Sequence, residues 1–460
     1  MNALLPLKLK EIAEAIGAKT NKEIPDIEIT NICTDSRDVR PGSIFVALCG
    51  ERFDGHAFVK TAMEKGALWA VVQKEGDYGT DNLLFVNTTR QAFLDIAGLY
   101  RSKFTPKVIA VTGSVGKTTT REMIAAVIKS RYNTLKTENN LNNEVGVPKT
   151  ILELDESIEA MVLEFGMTNL GEIRELTVPA KPDIAVITCI GTCHIENLGS
   201  RENIRKAKLE IIEGLKEGGT LLLNKDNDML RDICLPKQNV VYYAVEDNTA
   251  DITAKDIVEQ DGETDFVICC KTGEYRAHIP TMGVHNVLNA LAGFGAGVAA
   301  GMEPEECAKA LASFKNTGMR QKVKTCRGVT VVEDCYNANP DSMKAALNTL
   351  GAQKTTDGAQ KIAVLGDMLE LGTVAESSHY EIGKLAAEKA DVLFCCGELS
   401  RLIAAGAWVN GMKTTAFHFE TKEDLAEKLR KTAKPGDIIW LKASRGMKFE
   451  DIAEAFYEEN

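Results

Sequence analysis

The sequence predicts an α/β protein of three domains built mainly on parallel sheets, and three observations carry that expectation. The chain has 460 residues, where a typical domain holds about 150. From Lys107 onward, short apolar runs alternate with helical stretches across glycine turns. A second series of the same kind begins after Gly318. Continuous apolar strands separated by helices indicate a parallel sheet covered on both faces.

Taken in order, Leu7–Ala18 (LKLKEIAEAIGA) has helical spacing and Ser43–Leu48 (SIFVAL) reads as a strand. His56–Ala67 is helical and ends at a glycine, and Leu68–Gln73 (LWAVVQ) is another strand. The segment FLDIAGLYRSKF then leads to Thr105–Pro106, where a first boundary is expected. Beyond it, VIAVTG, Met161–Gly166 (MVLEFG), Asp183–Gly191 (DIAVITCIG) and Gly219–Asn224 (GTLLLN) are buried-strand candidates. After Gly318 the strands are VTVVEDCYN, KIAVLGDM, DVLFCCGE and DIIWLKAS, each followed by a helical segment, as in a smaller Rossmann-like domain. The expected domains are therefore 1–105, 106–318 and 319–460, with no internal repeat and no low-complexity tract.

A hydrophobic content of 44% and a charged content of 26% suit packed cores. No run of 18 apolar residues occurs, and Lys8, Lys10, Glu11 and Glu14 interrupt the start. A membrane span is thereby excluded and a secretory signal disfavoured. A net charge of −12 argues against non-specific nucleic-acid binding. The twelve cysteines include the adjacent pairs Cys269–Cys270 and Cys395–Cys396, in the apolar strand-like runs FVICC and DVLFCC, but no CxxC or Cys/His ligand set. Buried reduced thiols are favoured over a metal site or disulfides, so a cytoplasmic protein is expected.

The strongest motif is Thr112-Gly113-Ser114-Val115-Gly116-Lys117-Thr118-Thr119, which joins a strand to a helix. Its glycines let backbone N–H groups turn inward as an anion nest at the positive end of a helix. Lys117 is placed to bridge the β- and γ-phosphates of ATP, and the Thr118 hydroxyl to ligate Mg²⁺. Only Ser114 and Val115 separate the glycines, and Val111 stands where the usual phosphate loop has its first glycine.

Glu164 lies in the apolar run MVLEFG, where an unpaired charge is costly. It is either a strand-end carboxylate capped by the following turn or a magnesium ligand beside Thr118. His194 follows the strand DIAVITCIG, at the end where ligands gather in open α/β sheets. Alone, a loop histidine is more often structural, and Lys208 on the helix ENIRKAKLEIIEGL more often solvated.

Together these segments resemble the Mur ligase family nearly end to end. The shortened loop resembles that of the Mur ligase and folylpolyglutamate synthase superfamily, and H-x4-G-S-x-E-N-I-x-x-A-K resembles the segment whose lysine is carbamylated. The resemblance implies two Mg²⁺ sites, with Thr118, Glu164, His194 and Lys208 as its carbamate among the ligands. A carbamate forms only on a neutral amine, so Lys208 should titrate low. Thr137–Pro148 (TENNLNNEVGVP) looks like the family's loop over the substrate, which carries over Thr137, Asn142 and Asn143. Met282–Gly293 is similar to the adenine-binding segment, through His285, Asn286 and Asn289, although Asn286 would also serve as a helix N-cap. Arg320 matches an arginine placed near the ATP phosphates and the domain hinge, expected at Gly318–Met319. Asp334 could take ribose hydroxyls, with Asn337 and Asn339 just before a helix opened by Pro340. Thr34–Ala67 resembles a UDP-muramoyl binding module, which makes the N-terminal domain the UDP-binding one. Ser36 and Arg37 are its diphosphate candidates, and Asp54, Gly55 and His56 its turn.

Within the family, the chain lacks the early G-x-G-x-x-G of the L-alanine-adding branch and the N-P-R of the diamino-acid branch, having only Asn339-Pro340-Asp341. DCYNANPDS, LGDMLELG with the following His379, and KASRGMKFE look like the branch that adds D-alanyl-D-alanine to a UDP-N-acetylmuramoyl tripeptide. That resemblance places Asp367, Glu370, Ser444 and Arg445 at the dipeptide pocket. A monomeric ATP-dependent ligase is expected, catalysed by Lys117, Glu164, His194, Lys208 and Arg320, its partners the two small-molecule substrates. A folylpolyglutamate synthase or cyanophycin-type ligase would leave the DSR…DGH stretch without a reason. A phosphate-loop switch or small-molecule kinase would not need the H-x4-G-S segment.

Overall fold

The computed structural model describes residues 4–50, 53–356, 358–413 and 415–458. Among these, the N-terminal part holds four parallel strands, Asn31–Cys33, Ser43–Val46, Ala67–Val72 and Leu83–Phe85, beside a small antiparallel pair. The expected helix over 56–67 is a 3₁₀ turn, Gly55–Phe58, continued by the helix Val59–Glu64 and stopped at Gly66 with φ 104°. Glu51 and Arg52, inside the module read from the sequence, lie outside the described residues.

The central sheet has nine strands, with Lys107–Thr112 between Ile184–Ile187 and Ala160–Glu164. Its strands are parallel from Thr134–Lys136 across to Ile252–Gln260, after which Glu263–Cys270 and Gly273–Ile279 turn back antiparallel. The sequence showed only FVICC of that hairpin. Its strands alternate buried and exposed residues, as in Glu263–Cys270, and so lack the continuous apolar run of a buried strand. The third sheet has six strands, parallel except for Lys322–Cys326 at one edge. The three-domain α/β expectation holds.

Period-two alternation explains the packing of the central strands. Val108 and Ala110 enter one core and Ile109 and Val111 the other; Met161 and Leu163 divide from Val162 in the same way. The first of these cores is continuous with Leu9, Ile12, Trp69, Phe93 and Tyr100 of the N-terminal part. The Tyr100 hydroxyl donates to Leu154 O at 2.8 Å across that junction. The C-terminal domain instead has cores of its own, apart from Met282. It joins the rest through residues 314–321, where Gly318 (φ 66°) and Gln321 (φ 48°) hold left-handed backbone.

Candidate active site

A cleft of about 970 Å³ opens where the three domains meet, with the phosphate loop along its floor. The loop's glycines are required by geometry. A Cβ on Gly113 (φ 149°) would lie 1.9 Å from Thr188 Oγ1, and one on Gly116 (φ 85°) 2.8 Å from Asn289 Oδ1. The same Thr188 hydroxyl donates to Val115 O at 2.5 Å, and Gly191 N donates to Ser114 Oγ at 2.9 Å. Neighbouring segments thus hold the nest in shape before any anion arrives. Lys117 opens the helix Lys117–Lys129 and its Nζ donates to Gly113 O at 2.8 Å, so it already arches over the loop.

Beside the loop, Glu164 is 2% exposed at the end of its strand. Its Oε1 accepts from Asn142 Nδ2 (2.8 Å) and its Oε2 from Arg121 Nη1 (3.1 Å). Thr137 Oγ1 accepts Glu164 N at 3.1 Å from behind, and Asn143 Oδ1 accepts Gly146 N at 2.9 Å, which shapes the loop over the cleft. The Thr118 hydroxyl has no side-chain hydrogen bond among the described residues, and Glu164 keeps spare lone pairs. No group of three His, Cys, Asp or Glu gathers among the described residues. A magnesium ion usually takes one or two carboxylates together with substrate phosphates, so this donor set fits an ion that enters with a nucleotide.

Lys208 contradicts the picture of a solvated helix lysine. It is 1% exposed, without a hydrogen-bond or ion-pair partner among the described residues. Burial, reinforced by the nearby Lys117 charge, pushes its ammonium down to about 7. His194 carries left-handed backbone (φ 62°), and burial with Lys117 and Lys208 nearby lowers it to about 4. Its Nδ1 lies 3.3 Å from Glu370 Oε2, and Glu370 is also left-handed at φ 63°. That contact spans the central and C-terminal domains. A second one does so beside the loop, where Thr192 N donates to Asp341 Oδ2 at 3.3 Å.

At the other end of the cleft, Asn286 is not an N-cap: the helix starts at Val284, with Gly283 before it. Its amide joins a buried network in which Asn289 Nδ2 donates to Asn286 Oδ1 at 3.1 Å and Thr120 Oγ1 to Asn289 Oδ1 at 2.9 Å. His285 lines the cleft, and burial lowers it to about 4. Arg320 stacks 3.7 Å from the centre of the Tyr336 ring, a cation–π contact that steadies its guanidinium at the cleft wall. Asp334 accepts from Lys442 Nζ at 2.7 Å.

The structure brings Ser114 to Thr119, Asn142, Asn143, Glu164, His194, His285, Asn286, Asn289, Arg320, Asp334, Asn337, Asn339 and Glu370 to this one cleft. Asn339 reaches it with its side chain engaged in a capping box with Ser342. Thr112 and Thr137 stand behind the lining as buried supports. Asp367, Ser444 and Arg445 are not brought to it. Asp367 accepts Ser400 N at 2.7 Å inside the C-terminal domain, and Ser444 Oγ accepts Leu369 N at 2.9 Å. Arg445 pairs with Glu450 at 2.7 Å. Ser36, Arg37, Asp54, Gly55 and His56 also lie outside the cleft lining, on the N-terminal part. There Arg37 pairs with Asp35 (2.6 Å), and Asp54 holds His56 N (3.0 Å) and Lys74 (2.5 Å). Gly55 is fixed by Leu48 O, 2.7 Å from where a Cβ would stand.

Arg121, Gln321, Lys442, Arg90 and Asp341 were not among the residues expected from the sequence. Lys442 had a signal, a charge inside the apolar run IIWLK, and it is 3% exposed. Arg121 is one helical turn beyond Lys117, on the same face, and 1% exposed. Arg90 reaches the cleft from the N-terminal part and pairs with Glu144 at 3.0 Å.

Models of known families match three stretches of the chain: "Mur ligase family, catalytic domain" at 28–130, "Mur ligase middle domain" at 111–297 and "Mur ligase, glutamate ligase domain" at 319–445. The UDP-N-acetylmuramoyl-tripeptide–D-alanyl-D-alanine ligase of Bacillus subtilis is 40% identical over 98% of this chain and 98% of its own. The protein of the same name from Escherichia coli is 33% identical over 94% and 95%. Among solved structures, a MurF crystal structure from Acinetobacter baumannii superposes with a TM-score of 0.90 at 31% identity, covering 99% of this chain and 100% of that one. MurF ligase from Thermotoga maritima in complex with ADP gives 0.84 at 28% identity, covering 93% and 97%.

Proposed function

The chain belongs to the Mur ligase family, and on that premise we propose that it joins D-alanyl-D-alanine to a UDP-N-acetylmuramoyl tripeptide at the expense of ATP, a step of peptidoglycan precursor synthesis. The observation that carries this reading is the cleft itself: a phosphate loop faces residues of all three domains, as a reaction of three substrates requires. Residues 1–105, 106–318 and 319–460 serve as the muramoyl, ATP and dipeptide sides of a cytoplasmic monomer.

In the first half-reaction the tripeptide carboxylate attacks the γ-phosphate, giving an acyl phosphate and ADP. The dipeptide amine then attacks that carbonyl, and the tetrahedral adduct expels phosphate. The chain contributes positioning and charge stabilisation, which is most of what phosphoryl transfer asks of a protein. The loop N–H groups and Lys117 hold the phosphates, and Arg320, steadied on Tyr336, meets charge developing on the γ-phosphate side. Asn142 and Asn143 border the carboxylate end, and removal of one such group typically lowers the rate on the order of 10²-fold.

Thr118, Glu164 and His194 would hold magnesium, which when bound supplies charge neutralisation between the phosphates. Burial lowers Lys208 to about 7, the direction that favours the neutral amine carbamylation by CO₂ requires. A carbamate there would add an oxygen donor for a second ion; failure of short-chain acids to restore any activity to Lys208→Ala would speak against it. The direct test is phosphate release with ATP, Mg²⁺ and the UDP-muramoyl tripeptide, varying only the amine. Release that requires D-alanyl-D-alanine and yields a pentapeptide by mass supports the reading. Release with another amine, or with none, overturns it.

A further inference from the structure

The side-chain network behind His285 determines where that ring carries its proton. Its fixed point is a backbone carbonyl, which can only accept a hydrogen bond. Met282 O lies 2.7 Å from Asn286 Nδ2, and an acceptor there admits only the amide nitrogen. The same nitrogen lies 3.0 Å from Gln321 Oε1, which also takes the Thr281 hydroxyl at 3.0 Å, so this end of the Gln321 amide is its oxygen. Gln321 Nε2 is therefore the atom 2.9 Å from His285 Nε2, and being a donor it requires an unprotonated Nε2. The proton of neutral His285 then sits on Nδ1, which has no partner among the described residues. Gly283 makes room for this ring, since a Cβ there would lie 2.5 Å from His285 Cε1.

We propose that Gln321 is a positioning residue that locks His285 as the Nδ1–H tautomer and so presents the nucleotide with a hydrogen-bond donor matched to an acceptor atom of the base or ribose. Gln321 stands in the linker between the central and C-terminal domains on left-handed backbone (φ 48°) and is 6% exposed, so the lock is built into the hinge. The second part of the proposal rests on the ATP reading above; the tautomer does not.

The test is two-bond ¹H–¹⁵N NMR of the ligand-free, histidine-labelled chain at pH 7, with His285→Asn assigning the signal. The expected pattern has a protonated Nδ1 and a bare Nε2. A bare Nδ1, or an exchange-averaged mixture, overturns the proposal whatever the chain's reaction turns out to be. Gln321→Glu keeps the acceptor facing Asn286 and turns a second acceptor toward the ring, so the tautomer should switch to Nε2–H. KM for ATP should then rise roughly tenfold, the loss of one hydrogen bond, with kcat within about twofold. A switched tautomer with unchanged KM would remove the nucleotide from the proposal.

Discussion

Arg121 offers the sharpest test of how the site is held. Its side chain donates to Glu164 Oε2 (3.1 Å), Asn139 O (3.0 Å) and Glu122 Oε1 (2.5 Å from Nη2). Arg121→Met keeps most of the stem's packing and removes the charge. Glu122 would retain Lys136 at 2.6 Å, but Glu164, 2% exposed, would keep only the Asn142 amide. The Asn139 carbonyl, on an exposed residue, turns to water, whereas one uncompensated buried charge costs about 3–5 kcal/mol. For a domain of this size that corresponds to a fall in Tm of roughly 10–20 °C. The assay is thermal melting of Arg121→Met, Glu164→Gln and the double variant. Because the double variant leaves no unpaired carboxylate, it should recover about 2–3 kcal/mol relative to the summed single losses. Strict additivity, or an Arg121→Met Tm within about 2 °C of wild type, would refute the reasoning.

Other outcomes follow from the same geometry. Gly113→Ala sets a Cβ 1.9 Å from Thr188 Oγ1 at φ 149° and should abolish ATP binding by calorimetry; retained micromolar affinity would mean the loop is softer than described. Asp341→Ala removes the contact to Thr192 N and should lower kcat roughly fivefold, the equivalent of about 1 kcal/mol of closure, while widening the scattering profile with ATP bound. An unchanged profile would sink that role. His285 sits at about 4 against an ordinary 6.5, because burial penalises its charged form. The unfolded chain therefore takes up the proton first as pH falls, so the stability is complete above about 6.5 and is lost progressively toward 4. His194 and His379 shift the same way. His285→Asn should flatten part of that decline in a Tm-against-pH series, and parallel curves would contradict it.

The phosphate loop and the buried parallel strands were legible because each depends on local pattern: glycine spacing at one turn, continuous apolar runs at the other. Glu164 was legible for a related reason, a charge where a strand should be apolar. What escaped was decided by long-range partners. Nothing near Arg121 in the sequence announces that Asn139 and Glu164 fold around it. Asn339 reads as a polar group before a helix, and only the capping box reveals that its side chain is committed to Ser342. Asp367 and Ser444 were expected at the dipeptide pocket from family resemblance alone, and only the fold reveals that they hold Ser400 N and Leu369 N inside the C-terminal domain.

The continuous core shared by the first two sheets bears on synthesis as well as on catalysis. Phe93 and Tyr100 share one continuous core with Met161, Leu163 and Ile173, and the Tyr100 hydroxyl waits for Leu154 O. As the chain leaves the ribosome, the first hundred residues therefore present an uncovered apolar flank until the helices Gly146–Ile151 and Glu172–Ala180 emerge. Nascent chains arrested near residue 110 should be sensitive to protease and receptive to chaperones, whereas chains arrested near 230 should resist both. The C-terminal domain, with cores nearly all its own, can complete its folding alone and dock last, and that docking completes the lining of the cleft.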